Sequence, residues 1–116
     1  MKHLESNLQS ACIKWFRFQY PNKSKMLIAV PNGGSRNFRE AIRLKSEGVV
    51  SGVSDLLLLI SRGNYGCLGI EMKYDKGKQT ENQKNWQNDF EKHNNKYVIC
   101  RSLEDFIKEI NEYINL

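Results

Sequence analysis

Few residues in this chain can punctuate or cross-link it: two prolines, three cysteines and two histidines in 116 residues. With so little proline and no low-complexity tract, a mainly disordered chain is excluded. Cys12, Cys67 and Cys100 are odd in number and far apart, and none sits in a C-x-x-C pair. They read as buried thiols, each inside a predicted helix or strand, in a reducing compartment. His3 and His93 have no partner at zinc-ligand spacing, so neither is assigned to a metal. The longest aliphatic run, LLLLI at 56–60, is far short of a membrane span, and the opening MKHLESNLQS has no apolar signal core. A soluble, cytoplasmic protein without a membrane partner is expected.

What is present suffices for a modest core, since 40% of the residues are hydrophobic. An internal linker would leave two pieces each too small to hold a core, so 1–116 is expected to be one domain. Eighteen Lys and Arg against 13 Asp and Glu give a formal charge of +5 and a pI near 9.2. That balance favours an anionic partner, with nucleic acid the first candidate.

Leu4, Leu8, Ala11, Cys12 and Trp15 recur at helical spacing, which predicts an amphipathic helix over 4–20 closed by Pro21. MLIAVP at 26–31 is a short strand-like run ended by PNGG, and 37–47 reads as a helix stopped by Gly48. DLLLLI and CLGIEMK, joined by SRGNYG, predict an antiparallel hairpin. TENQKNWQNDFEKHN gives a helix opened by Thr80 and Gln83 in the T-x-x-Q order of a capping box. KYVIC is a fourth strand and SLEDFIKEINEYINL a last helix started by Ser102. The order describes an α/β fold, a central mixed β-sheet flanked by α-helices. Trp15, Trp86 and Phe90 fit the apolar helical stripes and read as packing residues rather than base-stacking platforms.

One strand breaks its own pattern. GIEMKYDKGK at 69–78 places Glu71 in an otherwise apolar run, with Lys73 two positions on and therefore on the same face. Burying such charges is costly unless they are paired or used. If Asn64 is the hairpin apex, residue 55 lies opposite 73 and Asp55 meets the Glu71 to Lys73 stretch, although a one-residue bulge would shift that register. A Glu-x-Lys alone is ordinarily a solvated pair at a strand edge. An Asp opening an apolar strand sixteen positions earlier is not explained by solvation. Hard cations such as Mg²⁺ take oxygen ligands and use only one or two carboxylates, with waters and substrate phosphate oxygens completing the shell. Such a cation acidifies water and neutralises transition-state charge, while Lys73 would orient the attacking water or stabilise developing charge. The constellation outlines a phosphodiester hydrolysis site.

PNGGSRN, GVSDLLLL, GIEMKYDKGKQTENQKNW and the leading helix with Glu5 resemble, in order and spacing, the virus-type replication and repair nuclease domain (VRR-NUC). That domain belongs to the PD-(D/E)xK nuclease superfamily. The resemblance covers nearly the whole chain. It implies a restriction-endonuclease-like fold, Mg²⁺ or Mn²⁺ dependence and cleavage of DNA. It further implies Asp55 as the metal-binding aspartate, Glu71 as the second acidic ligand, Lys73 as the catalytic lysine and the Met72 carbonyl as a further metal ligand. Glu5 matches the family's helical glutamate and Gln83 its glutamine after the lysine strand. One position departs, since Ser54 stands where the family usually has proline, which puts the stiffness of the approach to Asp55 in doubt more than activity.

Other candidates have ordinary readings beside functional ones. Gln83 suits a helix cap, and Glu5 by itself would be a solvated helix residue. Asn32 and Gly33 form a turn whose N–H groups could face a phosphate. Arg36, Arg39 and Arg43 make one basic helix face, and Lys76 and Lys78 follow the Glu71 strand; all five are solvated charges or phosphate contacts. The combined expectation is a metal-dependent DNA endonuclease of viral or mobile-element type, placed in the host cytoplasm if viral. Stand-alone members of the resembled family are associated with branched DNA such as four-way (Holliday) junctions, cut by a symmetric homodimer. No nucleotide cofactor is expected. The alternatives are a non-specific or restriction-type nuclease, a ribonuclease, and a DNA-binding module without catalysis.

Overall fold

The N-terminal apolar stripe forms helix α1, Leu4–Gln19, and Pro21 ends it by opening a short 3₁₀ helix, Pro21–Met26. That turn occupies the start of the predicted first strand, so β1 is only Leu27–Ala29. The computed structural model describes residues 3–31 and 37–116. Helix α2, Phe38–Ser46, starts where the Asn37 side chain accepts the Glu40 N–H. Strands β2, Leu56–Leu58, and β3, Leu68–Met72, make the predicted hairpin. Helix α3, Glu81–Lys92, carries the full capping box of Thr80 and Gln83. Strand β4, Lys96–Cys100, leads into α4, Leu103–Ile114, capped by Ser102.

The sheet order is β1-β2-β3-β4, with the first two pairings antiparallel and β3 to β4 parallel. Parallel neighbours need a crossover, and α3 supplies it. The result is the expected mixed sheet flanked by helices.

Alternation along β3 sorts the two faces. Leu68, Ile70 and Met72 join Leu56 and Leu58 beneath Cys12 and Phe16 of α1 and Phe106, Ile110 and Tyr113 of α4, all but fully buried. Gly69 and Glu71 point the other way, toward α3. A Cβ at Gly69 would stand 2.8 Å from the Phe90 ring and 3.0 Å from Ser54 Oγ, so the missing side chain lets α3 lie directly on the sheet. Gly52 does the same for the loop before β2: at φ +91° its Cβ would be 2.3 Å from the Asn82 carbonyl.

Two sequence expectations shift. The turn is a tight Arg62 to Tyr65 bridge, whereas β2 pairs Leu56 with Ile70 and Leu58 with Leu68. The turn centres between Gly63 and Asn64, which moves the register by one, and between Leu58 and Arg62 the chain carries one residue more than between Tyr65 and Leu68, a bulge that moves it by one more and sets Asp55 opposite Glu71 rather than Lys73. Because the displacement from the predicted register is two residues, Asp55 stays on the same face. Cys67 lies just before β3, half-buried, and not in a strand, while Cys12 and Cys100 are buried and all three thiols are free. Trp15 packs on the core with its ring edge-on to Phe106, and Trp86 stacks on Phe90 with centroids 4.4 Å apart. Among the described residues no helix is long and apolar enough to cross a membrane.

Candidate active site

Asp55 is fixed by its backbone before its side chain acts. Its carbonyl accepts the Val30 N–H at 2.9 Å, which carries the β1 ladder one step past β2. Its carboxylate then takes a ladder position itself, Oδ2 accepting the Met72 N–H at 2.7 Å. Ser54, fully buried, donates its hydroxyl to the Leu56 carbonyl at 2.9 Å. That bond ties down the turn into β2 at the position where proline was expected to stiffen it.

Glu71 is 1% exposed, an uncommon setting for a carboxylate. Gln83 Nε2 donates to its Oε2 at 3.0 Å, and the Tyr97 hydroxyl lies 3.5 Å from its Oε1. The Lys73 ammonium stands 3.8 Å from Oε2, too far for a tight ion pair. Burial, and then the neighbouring Asp55 carboxylate, push Glu71 up to about 8; Lys73 works against this and Glu5 adds to it. The group is thus a desolvated acid beside a second acid, with one lysine as the close cation.

The remaining predicted groups converge on this point. Lys73 is buried, and its N–H donates to the Cys100 carbonyl at 3.0 Å. Across a trans peptide the preceding carbonyl points the opposite way, so the Met72 C=O is directed from β4 toward the Asp55 side. Glu5 reaches over the end of β3 from α1, its Oε2 accepting the Tyr74 N–H at 3.4 Å. Gln83 serves two purposes: its Oε1 caps α3 by accepting the Thr80 N–H at 2.9 Å, and its Nε2 holds Glu71. Sequence reasoning had set those roles against each other.

Among the described residues no three His, Cys, Asp or Glu side chains gather closely enough to hold a metal by themselves. Mg²⁺ and Mn²⁺ do not require that many. Two facing carboxylates and a carbonyl directed to the same side are oxygen donors of the kind a hard octahedral cation takes, its shell being completed by waters and substrate phosphate oxygens. Burial first and then the Asp55 charge raise the Glu71 pKa, and the charge repulsion is what such a cation would relieve.

Residues 1–104 match the VRR-NUC domain family. The chain belongs to that family. Among solved structures, one described as a VRR_NUC domain protein superposes with a TM-score of 0.85 at 28% identity, covering 97% of this chain and 88% of that one. No curated protein matches. The membership makes this domain one of a nuclease family, with DNA as the implied substrate.

Around the centre of this VRR-NUC domain the basic candidates divide. Lys76 and Lys78 are exposed on the turn after β3. Arg39 is exposed on α2, but Arg43 is held by Glu40 at 3.2 Å and Glu47 at 3.0 Å, which spends much of its charge within the helix. Asn32, Gly33 and Arg36 lie outside the described residues. Sequence reasoning missed three groups. Tyr97 and Gln79 join the Glu71 network, and Arg101 Nη1 donates to the carbonyls of Asp75 at 2.9 Å and Gly77 at 2.8 Å, fixing the lysine-bearing turn. The alternation of KYVIC could have placed Tyr97 on one face, but not opposite Gly69, because parallel register leaves no turn to count from.

Proposed function

We propose that this VRR-NUC domain is a Mg²⁺- or Mn²⁺-dependent endodeoxyribonuclease with its centre at Asp55, Glu71 and Lys73. The observation that carries the reading is the buried Glu71 carboxylate facing Asp55, a charge arrangement that costs stability unless a cation or a proton compensates it. Asp55, Glu71 and the Met72 carbonyl would hold the cation. When bound, the cation supplies charge neutralisation at the scissile phosphate and lowers the pKa of a water. The Lys73 ammonium orients the attacking water or meets the charge that develops on the phosphate. Gln83 keeps Glu71 in one rotamer, and Glu5 accepts hydrogen bonds from waters at the rim. Lys76, Lys78 and Arg39, with Asn32, Gly33, Arg36 and Arg43, bind the backbone, so recognition rests on shape and phosphate position more than on base edges.

The preferred substrate in this reading is branched DNA, a four-way junction, cut by a two-fold homodimer. Support comes from the family resemblance and from the apolar surface left open: Phe38 is 79% and Ile42 52% exposed on α2, and Ile28 and Leu59 are exposed at the β1 side of the sheet. Labelled four-way junction, linear duplex and single-stranded DNA, each incubated with Mg²⁺, Mn²⁺ or EDTA, test the reading, with Asp55→Ala alongside. The expected result is metal-dependent, junction-preferring cleavage that the variant lacks. A folded wild-type protein that binds DNA but cuts nothing with either metal would overturn it in favour of a binding module.

A further inference from the structure

The hydrogen bonds beyond Glu71 have a direction that can be deduced from one end. Glu91 is an exposed carboxylate that can only accept, so Gln87 must present its amide nitrogen to it, Nε2 to Oε2 at 3.2 Å. The Gln87 oxygen is thereby turned toward Gln79, whose Nε2 donates to it at 2.9 Å. The same Nε2 donates its second hydrogen to the Tyr97 hydroxyl oxygen at 3.1 Å. With one lone pair of the phenol occupied from that side, its proton is left to face Glu71 Oε1 at 3.5 Å. Tyr97 is 7% exposed and its ring lies against Trp86, which restricts alternative positions for the hydroxyl.

We propose that Tyr97, polarised by Gln79, is a positioning residue that holds Glu71 for a divalent cation and sets the affinity of the site. The inference rests on the metal-dependent reading above. Gln83 grips Oε2 and Tyr97 stands at Oε1, so the carboxylate is oriented from both oxygens. Partners of this kind around a metal ligand change metal affinity by about 10- to 100-fold when removed.

Tyr97→Phe deletes one oxygen and keeps the ring, which makes it the cleanest test. Mn²⁺ binding by calorimetry should weaken about tenfold, with the melting temperature of the metal-free protein little changed. Cleavage should fall at limiting Mn²⁺ and recover at saturating Mn²⁺, while KM for DNA stays the same. Gln79→Met, which removes the donor to the phenol, should cause a smaller loss of affinity and add nothing once Tyr97→Phe is present. Unchanged Mn²⁺ affinity in Tyr97→Phe would overturn the inference and leave the nuclease reading standing. Additive losses in the double variant would overturn the relay from Gln79. Absence of Mn²⁺ binding by the wild-type protein would overturn the metal-dependent reading and this inference together.

Discussion

The two faces of this sheet are made from the same strand by opposite rules. Toward α1 and α4, Leu68, Ile70 and Met72 meet aromatic and aliphatic side chains and two buried thiols, with no charged group among the described residues of that cluster. Toward α3, Gly69 packs against the Phe90 ring, while Glu71 and Lys73 meet Gln83, Tyr97 and each other through a small number of hydrogen bonds and charges. The first face gains stability from area removed from water. The second buries a carboxylate at a cost that the first must offset. Fold and site are thus separated by one residue of strand alternation, and changes on either side should be separable in experiment.

The largest expected effect lies on the polar face. Asp55→Ala or Glu71→Ala should reduce cleavage by about 10³-fold or more, and Lys73→Ala by about 10²-fold, while circular dichroism and DNA binding stay close to wild type. Cleavage that survives both carboxylate changes would remove the assignment of the site. On the apolar face, Phe106→Ala should do the reverse, lowering unfolding free energy by about 3–5 kcal/mol in a denaturant titration without changing metal affinity in the protein that remains folded. A Phe106→Ala variant with weakened Mn²⁺ binding would show that the faces are not independent.

A subtler separation concerns Glu71→Gln in the metal-free protein. The folded pKa of about 8 lies above the ordinary value of 4.5, so the folded state holds the proton more tightly than the unfolded one. The stability this provides is complete below 4.5 and is lost as pH rises through about 8. Glutamine does not ionise, so melting in EDTA should favour Glu71→Gln by about a few degrees at pH 8.5 and by much less at pH 5. An equal difference at both pH values would mean that burial of the charge is not what the wild-type protein suffers. The smallest effect is expected farthest from both faces. Lys76→Ala should weaken DNA binding about uniformly across sequences and reduce the salt slope by about one; an unchanged slope would leave Lys76 a solvated charge.

Sequence reasoning read the fold where residues are tied to local geometry. Pro21, the Thr80 and Gln83 cap, Ser102 and the alternation of LGIEMK each act within a few positions, and each appears where its pattern placed it. It read Glu71 and Lys73 onto one face for the same reason, and it suggested without fixing that Asp55 joins them, since that step depends on the hairpin register. What it could not read depends on distant partners. The turn centre between Gly63 and Asn64 and the bulge between Leu58 and Arg62 each moved the register by one, and nothing in SRGNYG specifies either. Gln79 and Arg101 act through hydrogen bonds to residues 18 and 24–26 positions away. Their types are unremarkable in a chain with many polar side chains, so only the fold shows what they touch.

Gln83 carries one more consequence. A single amide closes the first turn of α3 with its oxygen and holds the Glu71 carboxylate with its nitrogen. Exchange for glutamate would preserve the cap but set two like charges together, and exchange for alanine would release both ends at once. Any replacement must satisfy a helix start and an acid simultaneously. Gln83→Ala should therefore loosen the start of α3 and the Glu71 carboxylate in one variant, so the fold and the polar face are coupled at this position.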